Sequence, residues 1–166
     1  WIDLSGGQLH HSHMQHIYCV VDPMLRDRVL MQLIELENPE SAIVFCNTIR
    51  DVEDVTTVFQ RFGYDADMLS GDLSQSRRDD VMKRVKTKVL RFLVATDIAA
   101  RGIDISLLSH VFHYGIPDDL EMYIHRSGRT AHAGATGTSV AMVSILEEMQ
   151  IKKIAQTYTI TMERRE

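Results

Sequence analysis

The sequence predicts a three-layer α/β/α domain on a mostly parallel sheet, and three observations predict it. Short β-branched or aromatic runs alternate with longer segments of helical period, the pattern of repeated βα units. Two of the runs, Ala42-Ile43-Val44-Phe45-Cys46 and Phe92-Leu93-Val94-Ala95, are almost wholly apolar, as strands covered by helices on both faces are. The 166 residues, 45% hydrophobic and 25% charged, suit one ordinary globular domain that needs no disulfide framework. No apolar run reaches the roughly 18 residues required to cross a bilayer, and no basic segment followed by an apolar core opens the chain. The expectation is a soluble protein.

Residues 1–15 read as a loose lead-in and 16–166 as the domain. The predicted strands are His16 to Val21, Ala42 to Cys46, Ala66 to Leu69, Phe92 to Ala95, His110 to Tyr114 and Ser139 to Ser144. Asp22-Pro23 offers an N-cap with proline in the first turn, and Leu25, Val29, Leu33 and Leu36 recur at helical spacing until Asn38-Pro39 breaks the helix. A second helix runs from about Arg50 to Phe62, with Val52, Val55, Phe59 and Phe62 toward the sheet and Gly63 as its stop. A third starts near Ser74, a fourth includes Leu120, Tyr123 and Ile124, and a fifth covers about Leu146 to Gln156. Cys19 and Cys46 lie inside apolar runs, not in a metal or redox spacing, and read as reduced core thiols.

Ligands of such sheets bind outside the carboxyl ends of the strands, so the residues there carry the functional argument. They are Asn47-Thr48, Ser70-Gly71-Asp72, the run Thr96 to Asp104, and His125-Arg126-Ser127-Gly128-Arg129-Thr130. Two arginines three apart on a helix suit one polyphosphate, because their forks match phosphate oxygens, while Gly102 and Gly128 permit close backbone approach. The net charge of −5 hides an asymmetry: Arg77 to Arg101 holds eight basic and three acidic residues, +5 in all, leaving −10 elsewhere. By itself such a run reads as a solvated helix face, and an anionic partner for that part of the surface is the alternative.

These residues resemble the C-terminal RecA-like domain of DEAD-box ATP-dependent RNA helicases of superfamily 2. The resemblance runs from about Gln15 to Met149 and rests on four segments in order. Ala42 to Thr48 is similar to motif IV and Gln75-Ser76-Arg77-Arg78 to the QxxR element. Val94 to Asp104 is similar to motif V and Tyr123 to Thr130 to motif VI. The resemblance implies a RecA-like fold and two sites. At the first, Arg129 is the finger that stabilises charge on the transferred phosphoryl group of ATP, Arg126 supports it, Asp104 accepts from the ribose, and Gly102 keeps the backbone close. At the second, Asn47, Thr48, Gly71, Arg77, Arg78 and Thr96 hold the sugar-phosphate backbone of an RNA strand, with Gln75 organising the loop. The same residues have plainer roles open to them: surface ion pairs of Arg126 and Arg129 with Glu121 or Asp118, a turn cap for Asp104, a helix N-cap for Thr96, and an Asx-turn for Asn47. Lys83, Arg84, Lys86 and Lys88 read as solvated or steering charges.

One position departs from the family pattern: His132 stands where a third arginine is usual, which makes a permanent cation conditional on pH. The lead-in histidines His10, His11, His13 and His16 lack a cysteine or carboxylate partner, and no metal site is assigned to them. Neither G-x-x-x-x-G-K-[ST] nor Asp-Glu-Ala-Asp occurs. The resemblance therefore implies that a first RecA-like domain of the same protein supplies the triphosphate pocket, the Mg²⁺ and the catalytic carboxylate, and that this chain alone is inactive. Its partners are then RNA, ATP and that first domain, with no membrane, in an intracellular setting that is cytoplasmic, nuclear or nucleolar. The alternatives are a non-catalytic RNA-binding module and a DNA-directed superfamily 2 translocase half.

Overall fold

The computed structural model describes residues 14–103, 108–127 and 137–166. Seven parallel strands form one sheet: β1 (Met14–Val20), β2 (Ala42–Phe45), β3 (Ala66–Leu69), β4 (Phe92–Ala95), β5 (His110–His113), β6 (Gly137–Val143) and β7 (Met162–Arg165). Their order across the sheet is β3-β4-β2-β5-β6-β1-β7. The connecting helices are α1 (Arg26–Glu37), α2 (Ile49–Arg61), α3 (Gln75–Lys86), α4 (Asp97–Ala100), α5 (Leu120–Ser127) and α6 (Glu148–Tyr158).

The alternation of each strand divides its side chains between two layers. Ile17, Val44, Val94, Phe112 and Val140 face α1 and α2, where Leu30, Ile34, Val52, Val55 and Phe59 complete the core. Ile43, Phe45, Leu93 and Val111 face the other way, onto Val81, Val85, Ala99 and Ala100 of α3 and α4. On that second face, at the β1 and β6 end, Tyr18, Ala141 and Val143 meet Tyr123 of α5 and Ile151 and Ile154 of α6. Both faces are covered, which is why the strands read as continuous apolar runs.

Four local expectations need correction. Asp22 does act as a cap, accepting from the Met24 amide at 2.9 Å, but it caps one 3₁₀ turn (Pro23–Leu25) that precedes α1. The buried stripe of α1 is Leu30, Met31, Leu33 and Ile34, and the stripe through Leu25 and Leu36 fails because both of those leucines are exposed. Phe62 is the C-cap of α2, one residue past the helix, and is also exposed. His16 is a core residue, not part of an exposed histidine lead-in: its Nδ1 lies 2.8 Å from the Tyr123 hydroxyl. His10, His11 and His13 lie outside the described residues.

Candidate functional site

The carboxyl ends of β3, β4, β2 and β5 lie side by side and build one rim. Its centre is Arg126, on the last turn of α5 and 1% exposed. Nε donates to Asp97 Oδ1 at 2.7 Å and Nη2 to Asp97 Oδ2 at 2.6 Å, a bidentate pair. Nη2 also donates to Asn47 Oδ1 at 3.0 Å and Nη1 to the Gly115 carbonyl at 3.2 Å. The guanidinium carbon sits 5.1 Å from the Phe45 ring centroid, a cation–π contact on the buried side. Arg126 thus ties together the loops after β2, β4 and β5, and its partner is neither Glu121 nor Asp118. Spacing alone aimed Arg126 outward beside Arg129; the described side chain points inward instead, because Asp97 and Asn47 offer it acceptors there.

Asn47 is not the cap of an Asx-turn. Besides accepting from Arg126, its Nδ2 donates to the Ile116 carbonyl at 3.0 Å, so it bridges two loops. Gly115 makes this approach possible: a Cβ there would lie 3.0 Å from Asn47 Nδ2. The neighbouring Thr48 is exposed and caps α2, its Oγ1 accepting from the Asp51 amide at 3.1 Å. Thr96 does the same for α4, accepting from the Ala99 amide at 3.3 Å. Both hydroxyls stand at the mouths of their strands, and Asp97, the residue after Thr96, is the one that Arg126 grips.

On the β3 side, Gly71 is exposed, and a Cβ on it would meet only Ile98 Cγ2, at 3.9 Å. The Ser70 hydroxyl donates to Asp72, and that bond, first of all, holds the Asp72 carboxyl below its usual pKa. Ser74 caps α3, and Gln75 donates to Asp79 at 2.9 Å, one turn along the same helix. Arg78 reaches from α3 to the Arg101 carbonyl at 3.3 Å, which binds the α3 N-terminus to the loop after β4. Arg77 is exposed beside it. Gly102 has φ +79°, a left-handed conformation that explains a glycine at this point. Of the basic run, Arg84 pairs with Asp67 at 2.8 Å and Lys88 with Glu40 at 2.9 Å, so these two are surface ion pairs.

Beneath Arg126 lies a buried polar cluster that sequence reasoning missed. Ser127 Oγ is 3.0 Å from Ser139 Oγ, which also lies 2.9 Å from His113 Nε2 and 3.1 Å from the Tyr123 hydroxyl. Burial, with Arg126 and His16 adding repulsion, holds His113 well below its usual pKa, so the ring is neutral. Burial also pushes the Tyr123 phenol up to about 12. Arg126 and Ser127, consecutive residues at the end of α5, are therefore each held by several partners. Asp97, Gly115 and Ser139 went unassigned in the sequence; the usable signal was a carboxylate two residues past a strand end, at the first position of the helix that Thr96 caps.

Arg129, Asp104, Gly128, Thr130 and His132 lie outside the described residues. Among the described residues, no three His, Cys, Asp or Glu side chains gather as metal ligands, and no helix is long and apolar enough to cross a membrane.

Residues 26–134 match the model of the helicase conserved C-terminal domain. The chain is similar to the DEAD-box ATP-dependent RNA helicase CshA of Bacillus licheniformis, 38% identical over 98% of this chain and 34% of that protein. It is likewise 40% identical to CshA of Geobacillus kaustophilus, over 98% of this chain and 35% of the relative. The chain thus spans about a third of these curated relatives. Among solved structures, a DEAD box protein from Methanococcus jannaschii superposes with a TM-score of 0.84 at 31% identity, over 94% of this chain and 43% of that one. The E. coli DEAD-box protein SrmB, bound to regulator of ribonuclease activity A, gives 0.83 at 31% identity, over 92% and 90%. S. cerevisiae Dbp5 bound to RNA and ADP BeF3 gives 0.82 at 28% identity, over 92% and 41%.

Proposed function

Because this chain belongs to the helicase conserved C-terminal domain family, as the RecA-like C-terminal domain of a DEAD-box protein, we propose that it is the second half of an RNA-dependent ATPase. The observation that carries this reading is the Arg126 tie. One buried guanidinium joins the loop that bears Asn47 and Thr48, the loop that bears Thr96, and the helix that leads to Arg129. RNA on the first two loops and a phosphoryl group at the third then act on one rigid unit.

In this reading Thr96, Asn47, Thr48 and Gly71 offer small donors to the sugar-phosphate backbone, and Arg77 and Arg78 supply cations for it. Gln75, bonded to Asp79, sets the start of α3 and leaves direct contact to its neighbours. Arg129 is the residue that meets the transferred phosphoryl, where a fixed cation lowers the energy of developing charge. Arg126 supports it by position, since four of its hydrogen bonds are spent inside the domain. Asp104 receives the ribose hydroxyl, and Gly102, two residues before it in sequence, is left-handed. ATP is shared between two halves, and Mg²⁺ belongs to the other one, where the triphosphate pocket would lie. Backbone contacts position a strand without reading its sequence, so duplex separation or ribonucleoprotein remodelling would be sequence-independent. The bacterial relatives support an intracellular setting and lend nothing to a nuclear one.

The test uses this chain joined to a first RecA-like half. Arg129→Ala abolishes turnover while single-stranded RNA still binds, and Arg78→Ala weakens RNA binding with turnover at saturating RNA retained. Stimulation by DNA equal to that by RNA would favour the translocase alternative. Loss of RNA binding in Arg129→Ala would overturn the division into two sites.

A further inference from the structure

The loops after β3 and β4 leave the sheet side by side, since Leu69 and Ala95 pair at the ends of those strands. Among their polar residues stands one large apolar side chain, Ile98 on α4, which is 72% exposed. A single exposed isoleucine is ordinary, and exposure alone assigns it nothing. Its surroundings carry the argument. Thr96 caps the same helix, and a Cβ on Gly71 would lie 3.9 Å from Ile98 Cγ2. Arg78 reaches the same loop from α3, donating to the Arg101 carbonyl at 3.3 Å. Ile98 therefore lies among three residues assigned above to the RNA backbone. The core has no use for it, because Ala99 and Ala100, both at 0% exposure, pack α4 onto the sheet. Gly71 bears on it too. Its φ is not positive, so the backbone does not demand glycine there, and a side chain at that point would rest against Ile98 and cover it.

We propose that Ile98 packs against the carbon face of one ribose of the bound strand. Phosphates meet hydroxyls and guanidinium groups, and a ribose joins each phosphate to the next, so an apolar side chain set among phosphate ligands meets sugar carbons. The described residues of these two loops include no aromatic side chain, which removes base stacking as the contact on this part of the rim. The carboxylate beside Ile98 in sequence, Asp97, has both oxygens taken by Arg126 and does not repel the strand as a free charge would. The inference rests on the RNA reading of this rim and adds to it an uncharged contact.

The test uses this chain joined to a first RecA-like half, with a non-hydrolysable ATP analogue and Mg²⁺, and follows fluorescein-labelled decauridylate by anisotropy. The expected result is a Kd raised about fivefold to tenfold in Ile98→Ser, with an unchanged unfolding temperature and most of the affinity kept in Ile98→Val. Salt dependence separates this contact from an ionic one: the slope of log K against log salt stays the same in Ile98→Ser and falls by about 0.7 in Arg78→Ala. Decaadenylate should show the same loss as decauridylate, because every nucleotide has a ribose; a loss confined to one base overturns the proposal. With p-benzoylphenylalanine in place of Ile98, irradiation should cross-link the strand, and a cross-link to the first half instead overturns the proposal by making Ile98 an interdomain contact. Weakening by Arg78→Ala alone overturns the role of Ile98 and leaves the RNA reading standing. Binding that ignores both variants overturns the two together.

Discussion

Replacing Arg126 by methionine tests the tie at the centre of the site. Methionine keeps an apolar stem over Phe45 and removes the guanidinium with its four hydrogen bonds, two of them to one carboxylate. Breaking a buried ion pair by removing one partner costs roughly 3–5 kcal/mol. Asp97 keeps about a quarter of its side chain in water and recovers part of its solvation, which places this case at the lower end. For a domain of this size, about 3 kcal/mol lowers the melting temperature by about 6–12 °C. Thermal unfolding of the isolated chain, followed by circular dichroism or calorimetry, reads that drop directly. Asp97→Asn, which leaves Arg126 buried without its counter-charge, should fall by a similar amount. The double variant should lie well short of the sum, because partners in one network couple. A drop below about 2 °C for Arg126→Met, or single effects that simply add, would refute the tie.

Three other outcomes are expected. His113 is held neutral by burial, so below pH 6.5 the unfolded chain binds a proton that the folded chain does not; this contribution is whole above that pH and is lost as pH falls, by up to about 1.4 kcal/mol per unit. Urea unfolding between pH 7.5 and 5.5 should show the slope, and His113→Asn should flatten it; an unchanged slope contradicts the assignment. Burial pushes the thiols of Cys19 and Cys46 up, so Ellman's reagent should label neither until the chain unfolds, and rapid native labelling would contradict their place in the core. In the joined protein, His132→Arg should raise RNA-stimulated turnover most near pH 8 and least near pH 6, where histidine is itself charged; a ratio independent of pH would count against a phosphate role for this position.

The strands at the centre of the sheet were legible because burial on both faces writes itself as an unbroken apolar run; Phe92–Ala95 appears with its predicted ends and Ala42–Phe45 one residue short of them. The seventh strand was not, since Met162-Glu163-Arg164-Arg165 is an edge strand whose charged residues carry no alternation of burial. Its pairing depends instead on remote partners, Arg165 with Glu37 at 2.7 Å and Arg164 with Glu148 at 3.4 Å. Helical spacing found α1 but chose the wrong stripe, because two apolar stripes overlap there and only packing against Ile17, Val44 and Phe112 selects between them. At the site, residue types at strand ends announced the rim, and caps at Thr48, Ser74 and Thr96 follow from local sequence. The inward turn of Arg126 did not, because it depends on acceptors 29 and 79 residues away. Leu25 was misread for the opposite reason: it reads as core until the 3₁₀ turn displaces it.

The central claim is a site divided between two halves, and the most direct measurement is ATP hydrolysis, with and without single-stranded RNA, by this chain alone and joined to a first RecA-like half. The account predicts silence from the chain alone and RNA-stimulated turnover from the joined protein. Turnover by the isolated chain would contradict it, by revealing a complete phosphate site within these 166 residues, and silence in both forms would leave a binding module without catalysis.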